Sequence, residues 1–226
     1  MPRPPLIVHI IYRLGIGGLE NGLVNLINRL PADQYRHAII CLTDSTEFKQ
    51  RLTRTDVAIY EMHKQPGQDW GSFVKVFQLL KQLQPAVVHT RNLAAIEYQL
   101  CALLAGVPYR VHGEHGWDVF DPDGKNVKYQ WLRRLLGLMI QRFIPLSRHL
   151  EEYLLTKAGI PEGKITRICN GVDTGRFYPE SGRRQLPKDC PLALENSIVI
   201  GTVGRMHGVK DQLTLIKAFI HACQHA

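Results

Sequence analysis

Short apolar runs rich in β-branched residues alternate along this chain with segments of helical periodicity, and this alternation constrains the fold more than any other feature. Strands buried on both faces read as continuous apolar runs, and the helices between them cover both faces of a parallel sheet. The pattern therefore predicts an α/β fold with a Rossmann-like, doubly wound parallel sheet. The predicted strands are Leu6–Tyr12, His37–Leu42, Val57–Met62, Ala86–His89, Tyr109–His112, Phe143–Leu146 and Ile165–Cys169.

Helices are predicted between these strands. The first places Leu19, Leu23 and Leu30 on one apolar face, the spacing of an amphipathic helix. The other predicted helices are 70–83, 92–105, 127–141 and 147–158.

The composition changes after Phe177. Residues 178–196 are rich in proline and basic residues and are predicted to be a linker or long surface loop. Residues 1–177 are then a first Rossmann-like domain, and 197–226 begin a second one with a strand at 197–203 and a helix from about Val209. One strand and one helix bury little surface, so we expect this second domain to be incomplete in the chain as given.

The net charge of +8 favours anionic partners such as nucleotides or acidic lipid headgroups. Nucleic acid is disfavoured because the basic residues are dispersed and no nucleic-acid-binding motif is present. No stretch of eighteen apolar residues occurs, and a cytoplasmic location is predicted from the scattered cysteines. The cysteines are Cys41, Cys101, Cys169, Cys190 and Cys223.

A glycine-rich turn joins the first strand to the first helix, with Gly15, Gly17, Gly18 and Glu20 in sequence. Glycines allow a close backbone approach, and unpaired N–H groups at a helix start attract anions, which predicts a phosphate or sugar site. A tight turn without a ligand stays open as an alternative. The dinucleotide fingerprint fails because Glu20 occupies the third glycine position.

The fifth predicted strand ends in a second polar segment, which contains His112, Glu114, His115 and Asp118. Ligands of open α/β sheets bind beyond the carboxyl ends of strands, so this segment is well placed for a site. His115 is the candidate for contact with substrate, and a structural role is the alternative for both histidines. Metal ligation by His112 and His115 is a weaker alternative, because no third ligand is evident.

The predicted helix 127–141 combines cations with apolar residues, among them Lys128, Arg134 and Trp131. Such a helix lies on an anionic membrane in some proteins, while in others its apolar residues belong to the core and its cations to a solvated face. The sequence leaves both interpretations open.

Four motifs in order resemble the retaining glycosyltransferases of family four, which have the GT-B architecture. The motif His115-Gly116, within the stretch Glu114 to Phe120, further resembles bacterial exopolysaccharide sugar transferases. The resemblance covers nearly the whole chain. The other matching residues are Gly17-Gly18-Leu19-Glu20, Asn170-Gly171-Val172-Asp173 with Phe177 and Pro179, and Gly201-Thr202-Val203-Gly204-Arg205 with Lys210.

The resemblance implies two Rossmann-like domains with a cleft between them, the first binding an acceptor and the second a UDP- or GDP-sugar. His115 matches the histidine that faces the donor sugar, and Gly17 and Gly18 match a loop near the donor phosphates. Arg205 and Lys210 match the basic pair that neutralises the diphosphate, which stabilises a leaving group without a metal. On local grounds alone, a solvated pair of cations at a helix start stays open as an alternative.

Glu20, Glu114 and Asp118 are further candidates for contact with acceptor or substrate. The expected substrates are a nucleotide sugar and a glycan or lipid-linked acceptor, with no cofactor or metal and with peripheral contact at the inner face of the cytoplasmic membrane. Competing hypotheses are a non-catalytic binding module and a dinucleotide-dependent oxidoreductase.

Members of this family usually carry a pair of glutamates well beyond the arginine and lysine, and the chain ends at Ala226 before that pair. We therefore expect residues 1–226 alone to be inactive. Donor-dependent sugar transfer by this chain by itself would contradict that expectation.

Overall fold

The computed structural model describes residues 3–118, 121–175, 177–179, 199–204, 206 and 208–225. The chain divides into two compact units, Met1–Gly171 and Val172–Ala226. The domain limits at 177 and 196 predicted from composition stay predictions. No helix among the described residues has both the length and the apolar character needed to cross a membrane.

The first unit is built on one six-stranded sheet with the strand order β3-β2-β1-β4-β5-β6. Each neighbouring pair in this sheet is parallel, so the carboxyl ends of all six strands lie at the same edge. This confirms the predicted Rossmann-like α/β fold. The strands are β1 (Leu6–Ile11), β2 (Arg36–Cys41), β3 (Ala58–Glu61), β4 (Val87–Arg91), β5 (Tyr109–Glu114) and β6 (Arg142–Pro145).

Helices cover both faces of the sheet. On one face Val8 and Ile10 of β1 pack with Val76 and Leu80 of one helix, and on the other face Ile11 packs with a different helix. The helices of the first unit are α1 (Gly18–Arg29), α2 (Trp70–Leu83), α3 (Leu93–Ile96), α4 (Gln99–Leu104), α5 (Val127–Gly137) and α6 (Arg148–Thr156), and α7 (Gln212–His225) belongs to the second unit.

The prediction of a seventh strand at Ile165–Cys169 was wrong. The segment runs beside β6 and donates two backbone hydrogen bonds to it, but strand pairing between the two is limited to a single isolated bridge between Phe143 and Ile165. Ile165 packs against the core, but Ile168 is exposed, so apolar burial does not extend along the segment.

Two further predictions differ from the structure. The predicted helix 92–105 is broken into α3 and α4 at the buried Tyr98, whose hydroxyl contacts the hydroxyl of Ser72 at 2.5 Å. The predicted strand 197–203 lies partly outside the described residues, and residues 199–203 form no strand. Strands are stabilised by pairing, and no strand is described in the second unit to pair with them.

A row of histidines crosses one face of the sheet from β2 to β4. His9 lies opposite His89 in register, and His37 is stacked on His9 with a ring-centroid distance of 5.4 Å. His9 Nε2 lies 3.1 Å from His37 Nδ1, within hydrogen-bond distance. Burial lowers the pKa of His9 and His89 well below the ordinary value and that of His37 to about 4, so the row is neutral at pH 7.

We expect this row to destabilise the protein in acid. In the unfolded chain these histidines bind protons below about pH 6.5, whereas the folded chain binds them only at lower pH, so stability is lost as the pH falls from 6.5 toward 4. The loss is roughly 1.4 kcal/mol per histidine for each pH unit. Urea unfolding between pH 7.5 and 5 measures it.

The variant His37→Gln removes one titrating group, and the slope of unfolding free energy against pH should become shallower. His63→Asn is the matched control because the side chain of His63 is 68% exposed. If His37→Gln leaves the slope unchanged, the histidine row does not carry the acid sensitivity.

Helix α2 begins at a side-chain cap. The carboxylate of Asp69 accepts hydrogen bonds from the backbone N–H groups of Ser72 at 3.1 Å and Gln65 at 3.0 Å. These bonds lower the pKa of Asp69, the bond from Gln65 contributing most. The cap gives the N–H group of Ser72 in the first turn a side-chain acceptor, and the bond from Gln65 holds the preceding loop to the helix start.

Asp69→Ala should lower the free energy of unfolding, because it removes this cap. Asp33→Ala replaces an exposed aspartate outside any helix and should change stability little. Chemical denaturation of both variants gives the comparison, and equal values for the two would argue against the cap.

Candidate functional site

The strand order reverses between β1 and β4. The chain leaves β1 toward β2 on one side, and β4 continues toward β5 on the other, so the segments after these strands diverge at the carboxyl edge. Such a switch point forms the crevice in which open α/β sheets bind ligands. The glycine turn after β1 and the polar segment after β5 therefore lie at the same edge as the end of β4.

The glycine turn leads directly into α1. Gly17 is the N-cap residue and no side chain bonds to the first turn of the helix from this position. A Cβ atom at Gly17 would collide with the carboxylate of Glu20, which folds back over the turn, whereas Gly18 has open space around it. The Glu20 carboxylate thus lies over the start of the helix, and phosphate binding by Gly17 and Gly18 stays a prediction.

His115 follows β5 and is held from β4. Its ring Nε2 lies 3.3 Å from Nη1 of Arg91, and its backbone N–H donates to Oδ1 of Asn92 at 2.7 Å. Burial, with the positive charge of Arg91, lowers the pKa of His115 to about 3. The imidazole is therefore neutral at pH 7 and cannot supply a full positive charge to a ligand.

Gly113 makes room for this ring. It lies opposite Arg91 in the register of β4 and β5, and a Cβ atom there would come within 2.7 Å of His115 Nε2 and 3.0 Å of His89 Nε2. Any side chain at position 113 would displace His115.

Glu114 is 1% exposed and belongs to an internal ion pair. Its Oε1 accepts from Nε of Arg133 at 2.6 Å and its Oε2 from Nη2 at 3.2 Å. Burial opposes ionisation, but the adjacent His112 ring and the charge of Arg133 outweigh it and lower the pKa of Glu114 to about 2. In this structure the partners of Glu114 are Arg133 and His112, and its contact with substrate stays a prediction.

His112 has the structural role that the sequence left open as an alternative. Its Nδ1 lies 2.8 Å from Oγ1 of Thr90, and its Nε2 lies 3.3 Å from Oε1 of Glu114. Thr90 accepts in turn from the side-chain amide of Gln99 at 2.7 Å. His112 and His115 thus have different partners, and no three ligand-type side chains among the described residues are grouped so as to hold a metal ion.

Three further site residues predicted from the sequence are Asp118, Lys210 and Arg205. Asp118 lies in the loop after His115 and forms an antiparallel bridge with Asp121. Lys210 ends a short 3-10 helix, Gly208–Lys210, in the second unit. Arg205 lies outside the described residues. Their roles stay predictions.

A cavity of about 460 Å³ opens beside the loop that follows His115. Trp117, His149 and Tyr153 give it an aromatic lining, and Lys125 and Lys157 add positive charge. An aromatic surface beside cations suits a sugar attached to phosphate.

Sequence reasoning missed Arg91 and Asn92. The predicted fourth strand stopped at His89, so Arg91 fell in the connection and Asn92 became the first residue of the predicted helix 92–105. Arg91 could have been identified from its position, because it is a charged residue at the carboxyl end of a buried strand. Arg133 was also missed, because a helical arginine is normally solvated.

Comparison with known proteins identifies relatives of this chain. The chain is 28% identical to an Escherichia coli UDP-Gal:alpha-D-GlcNAc-diphosphoundecaprenol alpha-1,3-galactosyltransferase over 94% of the chain and 56% of the relative. It spans about half the length of the curated relatives it matches, at 56% and 58%.

Solved structures share the fold. Anabaena HepE in complex with UDP superposes with a TM-score of 0.58 at 18% identity, covering 75% of this chain and 45% of that one. A glycosyltransferase from Rickettsia africae gives 0.57 at 20% identity, with 79% and 47% covered. The model of Glycosyltransferase Family 4 matches residues 16–176, and the chain belongs to that family.

Proposed function

We propose that this chain forms the acceptor-binding part of a retaining hexosyltransferase that moves galactose from UDP-galactose to a lipid-diphosphate-linked glycan. The observation that carries the proposal is the similarity, along nearly the whole chain, to a galactosyltransferase acting on a diphosphoundecaprenol acceptor. The products would enter exopolysaccharide or another cell-envelope polysaccharide.

The site geometry supports this chemistry. As the bond between the anomeric carbon and the phosphate oxygen breaks, negative charge grows on the departing nucleoside diphosphate, and N–H donors at a helix start stabilise such charge. Gly17 and Gly18 are the proposed donors of the first unit. Arg205 and Lys210 are proposed phosphate ligands on sequence grounds, and two cations would remove the need for a divalent metal.

His115 is the proposed catalytic residue, a neutral hydrogen-bonding group toward the transferring sugar. Its buried imidazole has a pKa of about 3, so protonation does not compete with this role between pH 5 and 8. The cavity lined by Trp117 and Lys125 is the proposed acceptor site, with the sugar against the indole and the diphosphate near the cation.

Transfer of labelled galactose from UDP-galactose to a GlcNAc-diphosphate lipid tests the proposal, in a polypeptide that joins this chain to a donor-binding half. His115→Ala should reduce kcat by roughly 100-fold, because a preorganised donor is lost. His63→Ala is the matched control at an exposed histidine, and EDTA should leave the rate unchanged.

Three other outcomes would contradict the proposed function or the proposed role of His115. Acceptor binding without transfer, in a polypeptide whose donor half binds UDP, would favour a non-catalytic binding module. Thermal stabilisation by NAD and not by UDP sugars would favour an oxidoreductase. Full activity of His115→Ala would remove His115 from the mechanism.

A membrane-facing role for α5 is also proposed. Its exposed side chains include Trp131 at 60%, Leu135 at 61% and, just after the helix, Leu138 at 78%. These lie on one side of the helix at four- and three-residue spacing, opposite the buried Leu136 and Arg133. These three side chains lie outside the core, whereas Leu132 and Leu136 of the same helix pack in it.

Cations flank this apolar face. Lys128 and Arg134 are exposed on its two sides, and the Arg134 guanidinium lies 5.4 Å from the Trp131 ring centroid. Apolar side chains bordered by cations suit the surface of an anionic bilayer, where a lipid-linked acceptor is held. Peripheral contact at the cytoplasmic face of the membrane follows as part of the proposal.

Trp131→Ser with Leu135→Ser should weaken sedimentation with vesicles of equal parts phosphatidylglycerol and phosphatidylcholine by about tenfold. The paired change Trp70→Ser with Val74→Ser removes equally exposed apolar residues from α2 and is the control. Binding should also fall with added salt. Equal loss in both pairs, or binding to neutral vesicles alone, would contradict a specific α5 surface.

A further inference from the structure

The hydrogen bond between Arg91 and His115 determines which ring nitrogen of His115 carries the proton, in addition to where the ring lies. An arginine guanidinium has only N–H donors and no acceptor, and it stays protonated at neutral pH. Because Nη1 of Arg91 lies 3.3 Å from Nε2 of His115, that ring nitrogen must accept the hydrogen bond. A neutral imidazole that accepts at Nε2 carries its proton on Nδ1.

The rest of the surroundings keep this arrangement in place. Asn92 has a φ of 58°, a conformation that costs energy outside glycine, and in it the side chain accepts from the backbone N–H of His115. The backbone N–H of Asn92 also donates to the carbonyl of Gly113 at 2.8 Å. Two consecutive residues of one strand end thus hold both the ring and the backbone of His115.

The protonated nitrogen is the one without a protein partner. Nδ1 of His115 is buried and has no hydrogen-bond partner among the described residues. A buried donor without a partner is costly, and a catalytic role is one of the reasons for which folded proteins retain such a group.

We propose that Arg91 is a positioning residue that fixes the Nδ1–H tautomer of His115, so that His115 presents a hydrogen-bond donor to an oxygen atom of the bound substrate. The proposal rests on the proposed function for the identity of that substrate, since sugar hydroxyls and phosphates offer such oxygens. It excludes His115 Nδ1 as a general base, because that nitrogen has no free lone pair in this tautomer.

Two-dimensional long-range ¹H–¹⁵N NMR of the 226-residue chain, labelled at histidine, tests the tautomer directly and needs no activity. His115 is assigned by comparison with His115→Gln. We expect the Nδ1–H form to exceed the Nε2–H form by roughly tenfold, the effect of one charge-assisted hydrogen bond. A wild-type spectrum dominated by Nε2–H would overturn the proposal regardless of whether the protein transfers sugar.

Variants of Arg91 separate the hydrogen bond from simple packing. Arg91→Met keeps most of the side-chain length without the donors and should shift His115 toward Nε2–H, while Arg91→Lys retains a donor and should restore part of the Nδ1–H form. Arg13→Met removes an exposed arginine, paired with Asp44 near the glycine turn, and should leave the His115 spectrum unchanged.

In the transfer assay, Arg91→Met should lower kcat by roughly tenfold with less change in the KM for the acceptor, and Arg91→Lys should recover part of it. An unchanged tautomer in a folded Arg91→Met variant would overturn the role of Arg91. If the His115 tautomer shifts in Arg91→Met but the unaltered protein transfers no sugar, the proposed function is wrong and the tautomer assignment is still supported.

Discussion

The parallel pairing of β4 with β5 sets Arg91 opposite Gly113, and the site depends on this register. A shift of one residue would turn Arg91 to the other face of the sheet and place a side chain under His115. The pairing holds because both strands are buried among the helices on each face. The chemistry at the edge is thus a consequence of apolar packing along the strands.

Buried polar residues have different kinds of partner on the two faces of the sheet. On the face of α4 and α5, Thr90, His112, Glu114 and Arg133 form a connected network in which a carboxylate is balanced by a guanidinium. On the face of the histidine row, burial lowers the pKa of Arg91 to about 10, and the negative charge of Glu20 acts in the opposite direction. The first arrangement pairs opposite charges inside the protein, whereas the second leaves Nε of Arg91 and Nδ1 of His115 buried without a hydrogen-bond partner among the described residues.

The same helix α5 links the interior to the proposed membrane surface. Its inner face carries Arg133 to the buried Glu114, while its outer face presents Trp131 and Leu135 to solvent. Burying the arginine requires the ion pair, since an unpaired guanidinium in the interior is unfavourable. Because the inner side of α5 attaches the helix to the sheet, its outer side can expose an apolar stripe.

The sequence by itself determined the fold class, because continuous apolar runs and helical spacing are local patterns; six of the seven strands predicted for the first unit are present at closely similar positions. It also located the glycine turn and His115 at strand ends. It failed at Ile165–Cys169, where pairing with β6 is limited to one isolated bridge, and it assigned Glu114 and His115 alike as polar residues of one segment. Only the tertiary structure separated these two, because Glu114 is the last residue of β5 and His115 follows the strand. Glu114 meets Arg133 of a later helix and His115 meets Arg91 of an earlier strand, and contacts between such distant parts of the chain are set by the register of the sheet, which no local pattern encodes.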